Sequence, residues 1–177
     1  MTHRSTALSK ADIRALFEAL NAELAAESVR GEVYVVGGAV MCIALNARAS
    51  TRDVDAVFEP AAVVRAASRR VAAKSNVPDN WLNDAAKAFI GTRGAFDEWL
   101  ELSHLKIFVA QPEYILAMKC TAMRLGVEFH DLDDVRFLLR YLNITSAREA
   151  LAVVGRYFDD SALPPKTRFA LEELLGE

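Results

Sequence analysis

The sequence contains few residues that could cross-link a fold. Cys42 and Cys120 are the only two cysteines in 177 residues, and each lies within an apolar segment. Neither belongs to a C-x-x-C motif or stands near a paired histidine, so the spacing argues against a disulfide framework and against a zinc site. We therefore expect two buried thiols and a fold that depends on its hydrophobic core.

Long hydrophobic runs are also missing. The chain has no stretch of 18 or more apolar residues, and its first ten residues are polar rather than the apolar core of a signal peptide. These two observations predict a cytoplasmic protein that has no membrane partner.

An excess of positive charge is the third feature that the chain lacks. The formal net charge is −3 and the pI is about 5.7, which argues against a surface that coats nucleic acid, because such binding depends on neutralising phosphates. A local basic stripe nevertheless recurs at helical spacing: Arg65, Arg69, Arg70 and Lys74. This basic stripe either contacts phosphates or forms a solvated helix face, and the charge pattern alone favours the solvated face.

What the sequence does contain is the composition of an ordinary globular protein. Hydrophobic residues make up 53% and charged residues 25% of the chain, and this length is sufficient to bury a core. We expect an α+β fold in which a small mixed sheet with flanking helices is followed by a helical C-terminal region. The expected division is a core over 1–111, including the N-terminal helix, and a helical region over 112–177 packed on it as a single compact unit.

Hydrophobic periodicity and helix-breaking residues predict the individual elements. Ser9 with Asp12 three residues later indicates a capped first helix, and Pro112 opens a strongly apolar one. The expected strands are 33–36, 51–58 and 105–110, and the expected helices are 9–31, 39–46, 60–75, 81–90, 112–126, 132–142, 146–158 and 166–175.

Two acidic residues carry the first chemical signal. Asp53 and Asp55 stand two residues apart in the expected second strand, where alternate side chains share a face, so their carboxylates should lie close together. Like charges at that range favour either a raised pKa or a bound cation, and oxygen ligands select magnesium. The alternative is an edge strand on which both acids simply face water.

The surroundings of this acidic pair favour the cation. Gly37 and Gly38 follow one strand and precede a short helix, and Ser50-Thr51-Arg52 leads directly into Asp53. Glycines let backbone N–H groups approach a triphosphate, and a serine or threonine hydroxyl can donate to a phosphate oxygen. The combination predicts a phosphate cradle, whereas a glycine pair alone would indicate only a tight turn.

These segments resemble the nucleotidyltransferase superfamily related to DNA polymerase beta. Its hallmark is a Gly-Gly or Gly-Ser turn and helix before an acidic D-x-D strand, here the segments 35–39 and 50–58. Segments 112–119 and 130–135 are also similar to the AbiEii/MenT-like group of toxin nucleotidyltransferases and its short relatives. Together the similar segments span 33–142.

The resemblance implies a reaction and a set of site residues. The implied reaction is metal-dependent transfer of a nucleotidyl group from a nucleoside triphosphate to a tRNA end, by a toxin that has an antitoxin partner. Magnesium would be the metal, with manganese as its substitute, and Asp53 and Asp55 would bind it. The implied catalytic residues are Asp53, Asp55, Lys119 and Asp131. The implied nucleotide-binding residues are Gly37, Gly38, Ser50, Thr51, Arg52 and Asp134.

Lys119 also stands out by its position alone. It follows Ile115 by four residues and precedes Met123 by four, which places its ammonium group on or beside the apolar face of the helix. A lysine there either finds a carboxylate or phosphate partner or extends to the surface along its apolar stem. The expected carboxylate partners are Asp131, Asp134 or the acids of the D-x-D strand.

One feature departs from the pattern of the superfamily. Many members take a third carboxylate from a neighbouring strand, but Glu101 is the only acid between residues 100 and 110, and it stands before the expected strand. Either the lysine and aspartate of the toxin group substitute for this carboxylate, or the site has decayed. His104 and His130 are not at metal-ligand spacing, so we expect both to be structural or surface residues.

Three functional hypotheses result. The first is nucleotidyl transfer to tRNA as the toxin of a toxin–antitoxin pair. The second is transfer to a small molecule or to a protein side chain, which the acidic pI favours slightly. The third is a catalytically silent binding or regulatory module of the same fold, which would not bind a triphosphate with magnesium.

Overall fold

The structure is a computed structural model that describes residues 7–123 and 131–176. These residues fall into two units, one formed by 7–88 and 96–109 and the other by 89–95, 110–123 and 131–176. The prediction of an α+β fold is confirmed, because a mixed sheet with flanking helices comes first and a run of helices follows it.

A short strand, β1 (Leu8–Ser9), leads directly into the first helix, α1 (Lys10–Ala26). The Ser9 Oγ accepts the backbone N–H of Asp12 at 3.2 Å, and the Asp12 carboxylate accepts the N–H of Ser9 at 2.8 Å. This reciprocal pair is the predicted capping box, and it fixes where the helix begins. The buried face of α1 consists of Ile13, Leu16, Phe17, Leu20 and Leu24.

A five-stranded sheet forms the centre of the first unit, in the order β5-β4-β2-β7-β6. Its strands are β2 (Gly31–Val36), β4 (Val54–Glu59), β5 (Leu82–Asn83), β6 (Phe96–Glu101) and β7 (Leu105–Ala110). β2 pairs antiparallel with β4 and parallel with β7, and β4 pairs parallel with β5. The register sets Val36 opposite Asp55, so the end of β2 lies beside the acidic strand.

Two helices and a second small sheet complete the first unit. The helices are α2 (Gly38–Ile43) and α3 (Ala61–Ser75), and β1 pairs with β3 (Ser50–Thr51). α1 packs against α3, and α3 packs against β4 and β5. Alternate side chains of β2 and β4 are buried in this core: Val33, Val35, Val54, Ala56 and Phe58.

The structure corrects the prediction for residues 81–90, which is wrong. This segment forms β5 and a 3-10 helix, Ala85–Phe89, rather than an α-helix. Trp81 is fully buried, and its carbonyl oxygen accepts the backbone N–H of Val54 at 2.7 Å. Because the chain is held to the edge of β4 at this point, a sheet hydrogen bond replaces the first turn of the expected helix.

Two further differences concern the strands. The expected strand at 51–58 is divided into β3 and β4, so Asp53 immediately precedes β4 instead of lying within it. β6 is not predicted from the sequence, since its pattern of three acids among three apolar residues resembles a solvated loop. Its position beside β7 in the sheet supplies the backbone partners that its own sequence does not specify.

The second unit is helical apart from its loops. Its helices are α4 (Pro112–Thr121), α5 (Asp131–Tyr141), α6 (Ala147–Tyr157) and α7 (Pro165–Leu175), with a 3-10 turn at Asp160–Ala162. α4 packs against α5 and α6, and α6 packs against α7. The expected end of a helix at Gly126 and the expectation for His130 lie outside the described residues.

Cys42 and Cys120 are both buried and free, as the sequence predicts. Burial raises the pKa of both thiols, that of Cys120 to about 12, so both stay protonated and unreactive at neutral pH. Among residues 7–123 and 131–176, no helix is long and apolar enough to cross a membrane.

Trp81 is expected to contribute more to stability than Trp99, although both rings meet Phe17 edge to face. Trp81 is fully buried, and its indole Nε1 donates to the carbonyl oxygen of Ser68 at 3.0 Å. Trp81→Phe removes this buried hydrogen bond, which should cost about 1–3 kcal/mol. The melting temperature should fall by about 2–4 °C for each kcal/mol in a chain of this size.

Trp99→Phe is the matched control, because Trp99 is partly exposed and the same deletion there should cost less than half as much. Thermal unfolding of the two variants side by side makes the comparison. Equal losses of melting temperature would contradict the role assigned to the Trp81 hydrogen bond.

Candidate functional site

The turn after β2 requires glycine. Gly37 has φ 67° and ψ −149°, a backbone conformation that residues with a side chain rarely adopt. A Cβ added at Gly37 would also lie only 3.2 Å from Oδ2 of Asp55. The Asp55 carboxylate therefore occupies the space beside Gly37 that a side chain would fill.

The next glycine is approached by two polar side chains. A Cβ added at Gly38 would lie 3.0 Å from Nη1 of Arg48 and 3.6 Å from Oγ1 of Thr51. The guanidinium group of Arg48, the hydroxyl of Thr51 and the carboxylate of Asp55 therefore all lie close to the glycine turn. We call Gly37, Gly38, Arg48, Thr51, Asp53 and Asp55 the turn site.

Arg48 is not predicted as a site residue from the sequence. It lies between α2 and β3 in a segment without hydrophobic periodicity, and only the fold brings it to Gly38. One signal could have found it, namely an arginine shortly before a serine, a threonine and two acids. Arginine binds phosphate groups well because its planar guanidinium offers several N–H donors.

The predicted hydroxyl residues lie beside the acids and are positioned by β1. Ser50 is paired with Ser9 and Thr51 with Leu8 in the two-stranded sheet. The Thr51 hydroxyl donates to the backbone carbonyl oxygen of Asp53 at 3.2 Å. This hydrogen bond stabilises the bend between β3 and β4. To donate to a phosphate oxygen of a ligand, the Thr51 hydroxyl would have to give up this hydrogen bond.

Asp55 lies close enough to affect the ionisation of Asp53. Asp53 is half-buried, and burial raises the pKa of its carboxyl group. The negative charge of Asp55 raises this pKa further, whereas exposed Arg52 lowers it. Ionised Asp53 is therefore more costly in the folded chain than in water, and a cation beside it would lower that cost.

The donor set fits magnesium only when a ligand completes it. No group of three or more histidine, cysteine, aspartate or glutamate side chains that could hold a metal occurs within the described parts of the chain. Magnesium is commonly bound by one or two carboxylates together with substrate phosphates and water. Asp53 and Asp55 match that pattern if a triphosphate supplies the other oxygens.

A third carboxylate does not come from the hairpin of β6 and β7. Two strands, β2 and β7, separate β6 from β4 in the sheet. The Lys106 ammonium pairs with Glu98 at 2.9 Å and with Glu101 at 3.6 Å. Both glutamates therefore belong to a surface ion-pair group of this hairpin.

Lys119 lies in the second unit and contacts two of its predicted partners. Its ammonium stands 3.1 Å from a carboxylate oxygen of Asp131 and 2.7 Å from one of Asp134. The side chains are 13%, 6% and 4% exposed. The predicted alternative, in which the lysine extends to the surface, is therefore wrong, and the three side chains form a buried ionic cluster.

The basic stripe on α3 is largely engaged in ion pairs within its own unit. The pairs are Arg65 with Asp84 at 2.6 Å, Arg70 with Glu23 at 2.8 Å, Arg70 with Glu27, and Lys74 with Glu23. Hydrogen bonds from Lys74 and then from Arg70 lower the pKa of Glu23. The stripe thus links α3 to α1 and to the segment after β5, and its partly exposed, paired side chains favour the solvated helix face over the phosphate-binding alternative.

Comparisons of the chain with protein-family models, with curated proteins and with solved structures give no match.

Gly37→Ala should destabilise the fold, because alanine is strained at this φ and its Cβ would crowd Asp55. The expected loss is about 1–3 kcal/mol of unfolding free energy, measured by urea denaturation. Gly155→Ala, in the last turn of α6, is the control, because the added methyl group would meet no described atom within 4 Å outside its own stretch of helix. The control should gain about 0.5–1 kcal/mol. Equal effects at both glycines would refute the requirement at Gly37.

Lys119→Met should destabilise the second unit, because it leaves Asp131 and Asp134 buried without the ammonium. Removing one partner of a buried ion pair typically costs about 3–5 kcal/mol. Denaturant unfolding measures the loss, and adding Asp131→Asn and Asp134→Asn should recover part of it. A Lys119→Met protein of unchanged stability would show that the cluster does not support the fold.

Proposed function

We propose that the chain is a metal-dependent nucleotidyltransferase that binds a nucleoside triphosphate at the turn site. The observation that carries the proposal is the position of the Asp55 carboxylate, whose Oδ2 lies 3.2 Å from the point that a Cβ on Gly37 would occupy. A phosphate oxygen that accepts a hydrogen bond from a backbone N–H of this turn would lie within reach of a cation on Asp55. The turn and the acid pair can then act on the same ligand.

Each residue of the turn site has a distinct role in this proposal. Asp53 and Asp55 hold magnesium, which supplies positive charge that neutralises the phosphates and favours departure of pyrophosphate. The backbone at Gly37 and Gly38 approaches the phosphates closely because it carries no side chain. The side chains proposed to donate to phosphate oxygens are those of Arg48 and Thr51 in the turn site and of Ser50 and Arg52 beside it.

The electrostatics of Asp53 support a cation at this position. Its pKa is raised by burial and by the charge of Asp55, so the folded chain favours the protonated, neutral carboxyl group more than water does. Binding of a divalent cation reverses this preference, because the ion interacts favourably only with the ionised form. The site is thus arranged so that ionisation of Asp53 and cation binding promote each other.

For the acceptor, the resemblance leads us to propose a tRNA end, with an antitoxin as protein partner. One observation favours the second hypothesis, a small molecule or protein side chain. Arg65, Arg70 and Lys74 already contact carboxylates, so the basic stripe offers fewer charges to an RNA backbone. Catalytic roles for Lys119 and Asp131, and a nucleotide-binding role for Asp134, are proposed from the resemblance alone.

Magnesium with a nucleoside triphosphate should raise the melting temperature, because a ligand that binds only the folded state stabilises it. The double variant Asp53→Asn, Asp55→Asn should lose this shift. Without metal, Asp53→Asn alone should melt higher than wild type at neutral pH. The reason is that a carboxyl group whose pKa is raised on folding contributes less stability as the pH rises through that pKa. This gain should vanish below the ordinary pKa of 3.8.

Asp79→Asn, an equivalent change on an exposed aspartate, is the control and should leave both measurements unchanged. Transfer itself is tested by incubating the protein with each α-labelled triphosphate and total cellular RNA, or with the protein alone. A labelled product that requires Asp53 and Asp55 is expected. If no triphosphate shifts the melting temperature of the wild type, the third hypothesis, a silent module, replaces the proposal.

A further inference from the structure

Asp55 has one register partner on each side in the sheet. Its Cα partner on β2 is Val36, and its partner on β5 is Asn83. Paired residues on neighbouring strands point to the same face of a sheet. The side chains of Asp55 and Asn83 therefore stand side by side, and Asn83 is the polar one of the two partners.

The position of the segment that carries Asn83 is fixed by the buried residue Trp81. The carbonyl oxygen of Trp81 accepts the backbone N–H of Val54 at 2.7 Å, and its buried indole donates to Ser68 on α3. A strand of two residues is too short to be stable by itself. The hydrogen bonds of Trp81 stabilise this short strand, and they fix which residue of β4 lies opposite Asn83.

The other side of Asn83 is fixed by an ion pair. Asp84 contacts Arg65 at 2.6 Å, and the guanidinium carbon of Arg65 lies 5.7 Å from the centre of the Phe58 ring. This arrangement restrains the residue directly after Asn83. An amide at the sheet edge beside Asp55 is thus held between two independent anchors.

The side-chain amide of Asn83 makes two hydrogen bonds within its own loop and retains an N–H group for a ligand. Its Oδ1 accepts the backbone N–H of Ala85 at 3.2 Å, which turns the oxygen toward its own loop. Its Nδ2 donates to the carbonyl oxygen of Asn80 at 3.4 Å, a long contact. A carboxamide nitrogen carries two N–H groups, and Asn80 is the only described acceptor for them. At least one N–H of the half-buried Asn83 can therefore serve a ligand.

We propose that Asn83 is a nucleotide-binding residue whose amide N–H donates to a phosphate oxygen of the triphosphate beside Asp55. This inference rests on the proposed function. A neutral donor suits the position, because it adds no negative charge beside Asp53, Asp55 and the phosphates. The opposite assignment, in which Asn83 binds the cation through its oxygen, fits less well, since that oxygen is already oriented toward Ala85.

Two substitutions separate these roles. Asn83→Ser keeps an oxygen that can accept the N–H of Ala85, as serine does in similar turns, but removes both amide N–H groups; its hydroxyl ends one bond closer to the backbone and does not reach the position of the amide nitrogen. Asn83→Asp keeps the shape and the oxygen but replaces the donor with a negative charge. Affinity is measured calorimetrically with magnesium and a non-hydrolysable analogue of each ribonucleoside triphosphate. The control is Asn80→Ser. Asn80 is an exposed residue of the same loop, and it contacts the Asn83 amide only through its backbone carbonyl oxygen, which the substitution keeps.

The expected result is a Kd that rises about tenfold in Asn83→Ser and about a hundredfold in Asn83→Asp, since hydrogen bonds to charged groups are strong. The melting temperatures of the free proteins and the Kd of the control should stay near those of the wild type. Unchanged affinity in Asn83→Ser, or tighter binding in Asn83→Asp, would overturn the inference. So would loss of folding in both variants, which would make Asn83 a structural residue. A wild-type protein that binds no analogue would overturn the proposed function as well.

Discussion

The antiparallel register between β2 and β4 is the constraint on which the turn site depends. It pairs Val36 with Asp55, so the chain leaves β2 at the level of the second acid and has to turn there. A slip of one residue would carry the Asp55 side chain to the opposite face of the sheet, where Val54 and Ala56 are buried. The apolar residues of the core therefore fix the position of a polar site that lies on the other face.

The parts of the fold that could be predicted are those whose signal is local. The capping box of Ser9 and Asp12, the strand at Leu105–Ala110 and the helix after Pro112 each follow from a few adjacent residues. β5 and β6 could not be predicted, because their sequences become strands only through pairing with distant neighbours. The buried Trp81 holds β5 in place through its hydrogen bond with Val54. β6 finds its backbone partners in the neighbouring strand β7.

The same distinction applies to the candidate site. The Gly-Gly turn and the D-x-D pair were found from the sequence because each is a short motif with a direct physical meaning. Arg48 and Asn83 were not predicted as site residues, because an arginine in a connecting segment has no distinctive spacing and because Asn83 falls in a segment that the sequence pattern predicts to be helical. Their positions result from the fold, which brings Arg48 to Gly38 and pairs Asn83 with Asp55. The contact of Lys119 with Asp131 and Asp134 was one of two arrangements that the sequence predicted, because a lysine on an apolar helix face either finds a charged partner or extends to the surface.

The turn site concentrates two features that cost folding free energy. Gly37 occupies a backbone conformation with a large entropic cost of ordering, and ionised Asp53 is disfavoured by burial and by the charge of Asp55. Neither feature improves the packing of the core, and replacing Asp53 by asparagine would remove the second one. Two features that each lower the stability of the fold, at one position and without an accompanying gain in stability, are typical of binding sites. This argument supports a cation and nucleotide site over a silent module, and it does so independently of the resemblance, because it uses only the geometry and charge of the first unit.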